Sequence, residues 1–396
     1  MLAGAGRFTY MEEVLARARR LVALYEEEAL RALPEGTRLF DAHVHVGRDI
    51  DGMSAPYEEL EAFLRGSGVE RAFAFCMDEP DREPAFRAAN DRTLAAAERS
   101  GGLLVPFVRL DLAESPVEEA RRCLDRGARG IKLHPRAQGF LLNDERLAPI
   151  FSLGAERRVP ILIHGGRGLP PIADHLRRLH DAYPESQLII AHAGIADLAA
   201  LSECFGGREG VYFDSSVWSA IDLLDMFSRV APEQVLYASD FPYGQQPGSL
   251  LLALRTARLA GLTDSELTGM LGASAARIAD GEPQPPLSAP KGIARLEQPL
   301  AFARIHHYVA MAAPLLWTRQ ADTIGVLGLA LNACAERDGH VEARERIAEL
   351  LATARDLWRS MPETEDETER RRLSRATFRL VHVADILALT LNAPDA

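Results

Sequence analysis

The sequence predicts an α/β protein: a (β/α)8 (TIM) barrel with an N-terminal helix before it and a C-terminal all-helical domain after it. Three observations carry this reading. Eight short apolar, β-branched runs bounded by turn signals recur at residues 39–46, 71–77, 103–110, 130–134, 160–164, 188–192, 211–215 and 235–240. Between them lie segments with helical spacing, such as Leu147, Ile150, Phe151 and Gly154, or Ala220, Leu223, Leu224 and Phe227, each with one apolar stripe fit to cover a sheet. From Gln298 onward no strand pattern remains.

Strict alternation of strand and helix favours a parallel sheet, because the crossover helix returns the chain to the same end. The eight units span 38–281, close to the ~250 residues of a typical (β/α)8 barrel; an open doubly wound sheet is the competing topology. Residues 9–33 read as one amphipathic helix ended by Pro34 and Gly36, expected to pack on the barrel wall. Pro283, Pro285, Pro286 and Pro290, with Pro299 further on, interrupt regular structure. The expected organisation is an N-terminal helix (1–37), the barrel (38–281), a Pro-rich linker (282–297) and a helical domain (298–396). That last part shows roughly four helices, broken near Gly339 and at 361–366.

The chain has 396 residues, 47% hydrophobic and 26% charged, the composition of a globular protein rather than of a disordered or fibrous one. With 45 basic against 57 acidic residues the net charge is −12, so affinity for nucleic acid or an anionic membrane would work against the protein's own field. Cys76, Cys123, Cys204 and Cys334 are scattered with no CxxC pair, which suggests reduced thiols. Residues 1–6 lack the features of a signal peptide, and the apolar runs at 305–318 and 323–335 fall short of the ~20 residues that span a bilayer. A cytoplasmic protein is expected. Lys132 and Lys291 are the only lysines, which singles each of them out.

Histidine placement points to the chemistry. Of eleven histidines, His43, His45, His134, His164 and His192 fall at the C-terminal ends of predicted strands, the end that carries the active site in such barrels. His43 and His45 are two apart, so on a strand both imidazoles face one side. Asp240 ends the eighth run. Imidazole and carboxylate suit a divalent ion, and three or four of them around an open position leave room for a water. His43, His45, His164 and Asp240 are the expected ligands, with His192 polarising the substrate or positioning the water. A single strand histidine is more often a hydrogen-bonded core residue. Five of them together with an aspartate would each need a separate buried partner.

The residues Asp41-Ala42-His43-Val44-His45, Gly130-Ile131-Lys132-Leu133-His134-Pro135, Ile163-His164, Ala191-His192-Ala193-Gly194 and Ser239-Asp240-Phe241-Pro242 occur in an order that resembles the amidohydrolase-related (amidohydrolase 2) enzymes. That family includes the aminocarboxymuconate-semialdehyde decarboxylase-like proteins. Leu271-Gly272-Ala273-Ser274-Ala275-Ala276-Arg277 resembles the closing helix motif, with Ser274 where asparagine is more usual. The resemblance covers about 39–280 and implies that His43, His45 and His164 are metal ligands. Asp240 is then a ligand that also shuttles protons, and His192 a catalytic histidine outside the ligand set. In some binuclear members of the wider superfamily a strand-four lysine is carbamylated and bridges two metals, a role open to Lys132; the alternative is an ion pair of Lys132 with Asp41 or another barrel carboxylate. The subgroup most resembled uses one metal.

Arg48, Arg109, Arg136 and Arg167 follow strand ends and suggest a positive mouth for a carboxylate. His134, Arg109 and Arg136 are the expected substrate contacts. Gly165 and Gly166 after His164 lack dinucleotide-fingerprint spacing and give the loop room to turn.

The expectation is a metal-dependent hydrolase acting on an amide, lactone or related carbonyl of a small, acidic substrate. Zinc is the first choice of cofactor, with manganese or iron next, and one ion per chain is favoured over two. The alternatives are non-oxidative decarboxylation of an unsaturated or aromatic acid at the same site, and a degenerate barrel serving as a binding scaffold. The helical tail is expected either to cover the barrel mouth or to make a homodimer.

Overall fold

The computed structural model describes residues 2–292, 296–336, 339–361 and 366–393. Eight parallel strands run in chain order: β1 (Leu39–Arg48), β2 (Val69–Cys76), β3 (Leu104–Arg109), β4 (Gly130–Leu133), β5 (Ile161–Ile163), β6 (Leu188–Ile190), β7 (Val211–Asp214) and β8 (Val235–Leu236). Each pairs with the next, and the two edges of the sheet meet. The backbone N–H of Ala42 donates to Tyr237 O (2.8 Å), that of Asp240 to His43 O (2.9 Å) and that of His45 to Phe241 O (2.8 Å). This closure selects the barrel over the open sheet. All eight predicted strands are present, most of them trimmed at the C-terminal end. A two-residue strand that the periodicity did not show, Ser54–Ala55, pairs antiparallel with the end of β1.

The interior is filled by alternate side chains of these strands, among them Phe40, Phe73, Phe107, Leu162, Ile189 and Tyr212, with Ala275 and Ile278 of the Ser274–Asp280 helix packed against them. Gly272, just before that helix, lies so close to the Arg38 carbonyl that any Cβ would overlap it. β1 carries a bulge: Asp41 pairs with Ala72 but Val44 pairs with Ala74, so one extra residue sits on β1. A bulge changes which side chains face inward. Phe40 and Ala42 belong to the interior core, and beyond the bulge the inward positions pass to His43 and His45, both buried.

Two compact units are present. The barrel unit comprises Leu33–Gln245 and Ala260–Ala294. The second unit is helical and holds Leu2–Arg31, Gly248–Leu259, Leu300–Trp317, Thr323–Cys334, Val341–Ser360 and Glu367–Leu389. Within this unit the N-terminal helix packs with Val341–Ser360, Glu367–Leu389 and Gly248–Leu259. Ion pairs reinforce that packing, Arg17 with Asp356 at 2.9 Å and Arg379 with Glu26 at 2.6 Å. The helix that follows β8 in the chain is also part of this unit rather than of the barrel unit. Among the described residues no helix is long and apolar enough to cross a membrane.

Candidate metal centre

His43 and His45 lie within β1, beyond its bulge, and the other candidates sit just past strand ends, where the ladder stops and side chains can turn inward over the core. His164 follows β5, His192 opens a short turn after β6, and Asp240 follows β8. His192, Ala193 and Asp240 all have positive φ (57°, 52° and 58°), a left-handed conformation that costs non-glycine residues energy and that clusters at functional sites. Asp240 is held there because its own N–H donates to His43 O while its carbonyl accepts from Gly244 N, each at 2.9 Å.

His43, His192 and Asp240 each bring a potential ligand atom to within 4.8 Å of the others, so this trio can hold a metal ion. His45 joins it at Asp240, with Nε2 3.1 Å from Oδ1, and Asp240 Oδ1 is also 3.3 Å from His43 Nε2. His164 joins at His192, with Nδ1 3.0 Å from His192 Nε2. His134 stacks on His164, with ring centroids 3.9 Å apart, and accepts the Ala137 N–H on Nδ1 at 3.2 Å. The imidazoles expected from the sequence are thus gathered in one place.

Burial sets their protonation. It pushes His43, His45 and His134 well below the ordinary histidine value, with the positive charge of Lys132 or of neighbouring rings adding to the shift, and His164 falls to about 2. Neutral imidazole is the form that binds a metal. Two buried nitrogens, His45 Nδ1 and His164 Nε2, have no hydrogen-bond partner. Unpaired buried polar atoms are costly; a cation would satisfy His164 Nε2, while His45 faces Asp240 with its other nitrogen, Nε2. The donor chemistry therefore fits a divalent ion. Burial also raises Asp240 to about 6 and Asp41 to about 7.

Lys132 is 1% exposed, with Nζ 3.3 Å from His43 Nε2 and 4.7 Å from the Phe75 ring centre. Burial lowers it to about 7 against the opposing pull of Asp214 and Asp240. The anticipated pairing with Asp41 is not made. Asp41 Oδ1 instead accepts the backbone N–H groups of His43 (3.1 Å) and Ser239 (2.9 Å), which ties the two strand edges together.

The four arginines separate by environment. Arg48, Arg136 and Arg167 are exposed, with Arg136 lying alongside Gly168. Arg109 is 2% exposed; its Nε and Nη2 lack hydrogen-bond partners, and its guanidinium rests 4.9 Å from the Phe86 ring centre. Asn90 brackets its backbone, donating to Arg109 O at 2.9 Å and accepting from Arg109 N at 3.0 Å. The charge of Arg109 is felt at His45, His134 and Tyr243. Cys76 is buried and pushed up to about 12 by burial, an inert thiol.

Two residues escaped the sequence reading. Asp214 ends β7 with its carboxylate fully buried, accepting from His43 Nδ1 at 2.7 Å and from His192 N at 2.8 Å. The signal was there: an acidic residue closing an apolar strand, the same pattern that singled out Asp240. Tyr243 packs edge-on against His45 and donates its hydroxyl to Asp49. Gly166 has a role other than turning. A Cβ there would come within 2.9 Å of His164 Cε1 and 3.0 Å of His192 Cδ2, so only glycine lets these rings approach the loop.

A family model described as amidohydrolase matches residues 40–278. Among solved structures, a protein described as an amidohydrolase from Staphylococcus aureus is 17% identical, over 61% of this chain and 100% of that one, with a TM-score of 0.49. The 5-carboxyvanillate decarboxylase of Sphingomonas paucimobilis is 15% identical, over 62% and 99%, with a TM-score of 0.46. The 4-oxalomesaconate hydratase of Rhodopseudomonas palustris is 14% identical, over 61% and 95%, with a TM-score of 0.43. A search of curated proteins gave no match.

Proposed function

The chain belongs to the amidohydrolase family, and from that premise we propose that it is a metal-dependent hydrolase acting on an amide, lactone or related carbonyl of a small, acidic substrate. The observation that carries the reading is the convergence of His43, His192 and Asp240, from β1, β6 and β8, with His45 and His164 at its edges. A degenerate scaffold has no use for so many converging imidazoles.

His43, His45, His164 and Asp240 would hold the ion, zinc first and manganese or iron next, in a ratio of one per chain. The Nε2 of His45, 3.1 Å from Asp240 Oδ1, and the unpartnered Nε2 of His164 support that set over the bare trio. A divalent ion supplies polarisation of a carbonyl and lowers the pKa of a coordinated water from 15.7 to roughly 7. Asp240, at the junction of His43 and His45, takes the proton from the attacking water and returns it to the leaving group. His192 polarises the substrate carbonyl. Arg109 meets the substrate carboxylate with its free guanidinium nitrogens, and burial strengthens that charge-assisted pair. His134, stacked on His164, lines the same space.

The second reading, non-oxidative decarboxylation, is favoured by Arg109, because a buried cation with two guanidinium nitrogens free of hydrogen bonds can fix an acid over the centre while carbon dioxide departs. Elemental analysis together with product analysis on a panel of acids and their amides or lactones tests the proposal. Stoichiometric metal with hydrolysis supports the first reading, released carbon dioxide supports the second, and full metal content after His43 and His45 are both changed to alanine rules out the ligand assignment. Four free thiols support a reducing, cytoplasmic setting. The proposed homodimer is tested by mass in solution.

A further inference from the structure

We infer that Asp214, acting with Ser216, is the positioning residue that fixes where the protons sit on the imidazoles of this centre. The inference rests on the reading of His43 and His192 as site residues. Asp214 Oδ1 accepts from three donors, the backbone N–H of His192 at 2.8 Å, that of Ser216 at 3.0 Å and the Ser216 hydroxyl at 2.5 Å, while Oδ2 accepts from His43 Nδ1 at 2.7 Å. A carboxylate surrounded by donors only accepts, so His43 must carry its proton on Nδ1, which leaves the Nε2 lone pair facing Asp240.

The second ring follows from the same accounting. His192 Nδ1 lies 2.9 Å from the Ser216 carbonyl and 2.9 Å from the Ser216 hydroxyl oxygen. A carbonyl cannot donate, and the hydroxyl proton is already given to Asp214, so His192 also carries its proton on Nδ1. Its Nε2 then accepts, and the atom 3.0 Å away, His164 Nδ1, must donate. That leaves His164 Nε2 bare, in agreement with its lack of any partner. One buried carboxylate thereby presents lone pairs on His43, His192 and, through it, His164. The hydrogen bond on the far nitrogen of an imidazole sets its tautomer and orientation, and losing such a partner typically lowers metal affinity roughly 10–100-fold.

Asp214→Asn is the decisive variant, because an amide cannot satisfy both sides. If its oxygen keeps the three donors, its NH2 faces His43 Nδ1 and drives the proton to Nε2; if it flips, the NH2 meets donors. The expected result in metal-free protein is a ¹⁵N ring spectrum with His43 and His192 protonated on Nδ1, signals assigned through His43→Gln and His192→Gln. In Asp214→Asn the His43 proton moves to Nε2, and zinc affinity by chelator competition falls roughly 10–100-fold. A wild-type spectrum with His43 protonated on Nε2 overturns the inference by itself, even if the variant fails to fold. Wild-type zinc affinity in a folded Asp214→Asn overturns it as well. Should the wild-type protein take up no metal, the proposed function fails, and the metal-free spectrum still decides the tautomers.

Discussion

Lys132 reaches in from β4 to set its Nζ 3.3 Å from Nε2 of His43, the same lone pair that the Asp214 contact turns toward Asp240. A buried amine there competes with a cation for that lone pair, and in its charged form repels it. Lys132→Met keeps the stem and removes the competitor. It is expected to hold one zinc per chain and to bind it on the order of tenfold more tightly. Titration with a metal indicator checks this. If wild-type protein instead holds two ions and the variant one, Lys132 is the bridge of a binuclear centre.

Ligands and neighbours are separable by metal content. His164→Gln is expected to release most of the zinc, since its bare Nε2 has no other use, whereas His192→Gln keeps the metal and loses turnover. Zinc lost from His192→Gln and kept in His164→Gln, read by elemental analysis after dialysis, contradicts the proposed set and returns the assignment to the His43, His192 and Asp240 trio.

Gly166→Ala places a methyl group against both His164 and His192. Overpacking of this kind costs about 1–3 kcal/mol. The expected outcome is a folded protein by circular dichroism with a modestly lower unfolding temperature and zinc affinity reduced about tenfold, because the rings must separate. A variant with unaltered affinity would show that the loop yields freely.

Arg109 couples stability to function. Its guanidinium is buried with two nitrogens unpaired, and an apolar residue of similar volume is often better tolerated in such a place. Arg109→Met is expected to raise stability in urea, by about 1 kcal/mol or more, while KM for an acidic substrate rises and that for its neutral ester does not. Arg136→Gln, at an exposed position, is expected to leave KM much closer to wild type. The comparison of the two variants is the check.

In the helical unit His306 Nδ1 sits 2.7 Å from Asp385 Oδ1, a contact that raises the histidine above its ordinary value. A group whose folded value lies above its unfolded value of 6.5 binds more protons when folded. The pair therefore contributes its full stability below pH 6.5 and loses it as pH rises through the folded value. Urea unfolding near pH 6 and pH 8 is expected to show this loss in wild type and a reduced pH difference in His306→Gln.

The barrel was legible because eight apolar runs each end in a turn signal, and the histidines were legible because they close those runs. The bulge in β1 was not, since nothing in Phe40-Asp41-Ala42-His43 shows that one residue will lack a partner on β2. Asp214, after Val211-Tyr212-Phe213, carried the same signal as Asp240, but its role shows only once its four donors are in place. The helix Gly248–Leu259 has the periodicity of any barrel helix, and only packing assigns it to the other unit.

Local patterning determined the elements, their order and the kinds of atom available for catalysis, because a run of β-branched residues or a histidine spacing is a property of adjacent positions. Closing the sheet decided the rest. Which imidazole nitrogen is bare, which arginine is unpaired and which carboxylate holds the rings all depend on groups far apart in the chain meeting where water is excluded. There the cost of an unsatisfied polar atom, negligible in an exposed segment, sets each proton and each contact.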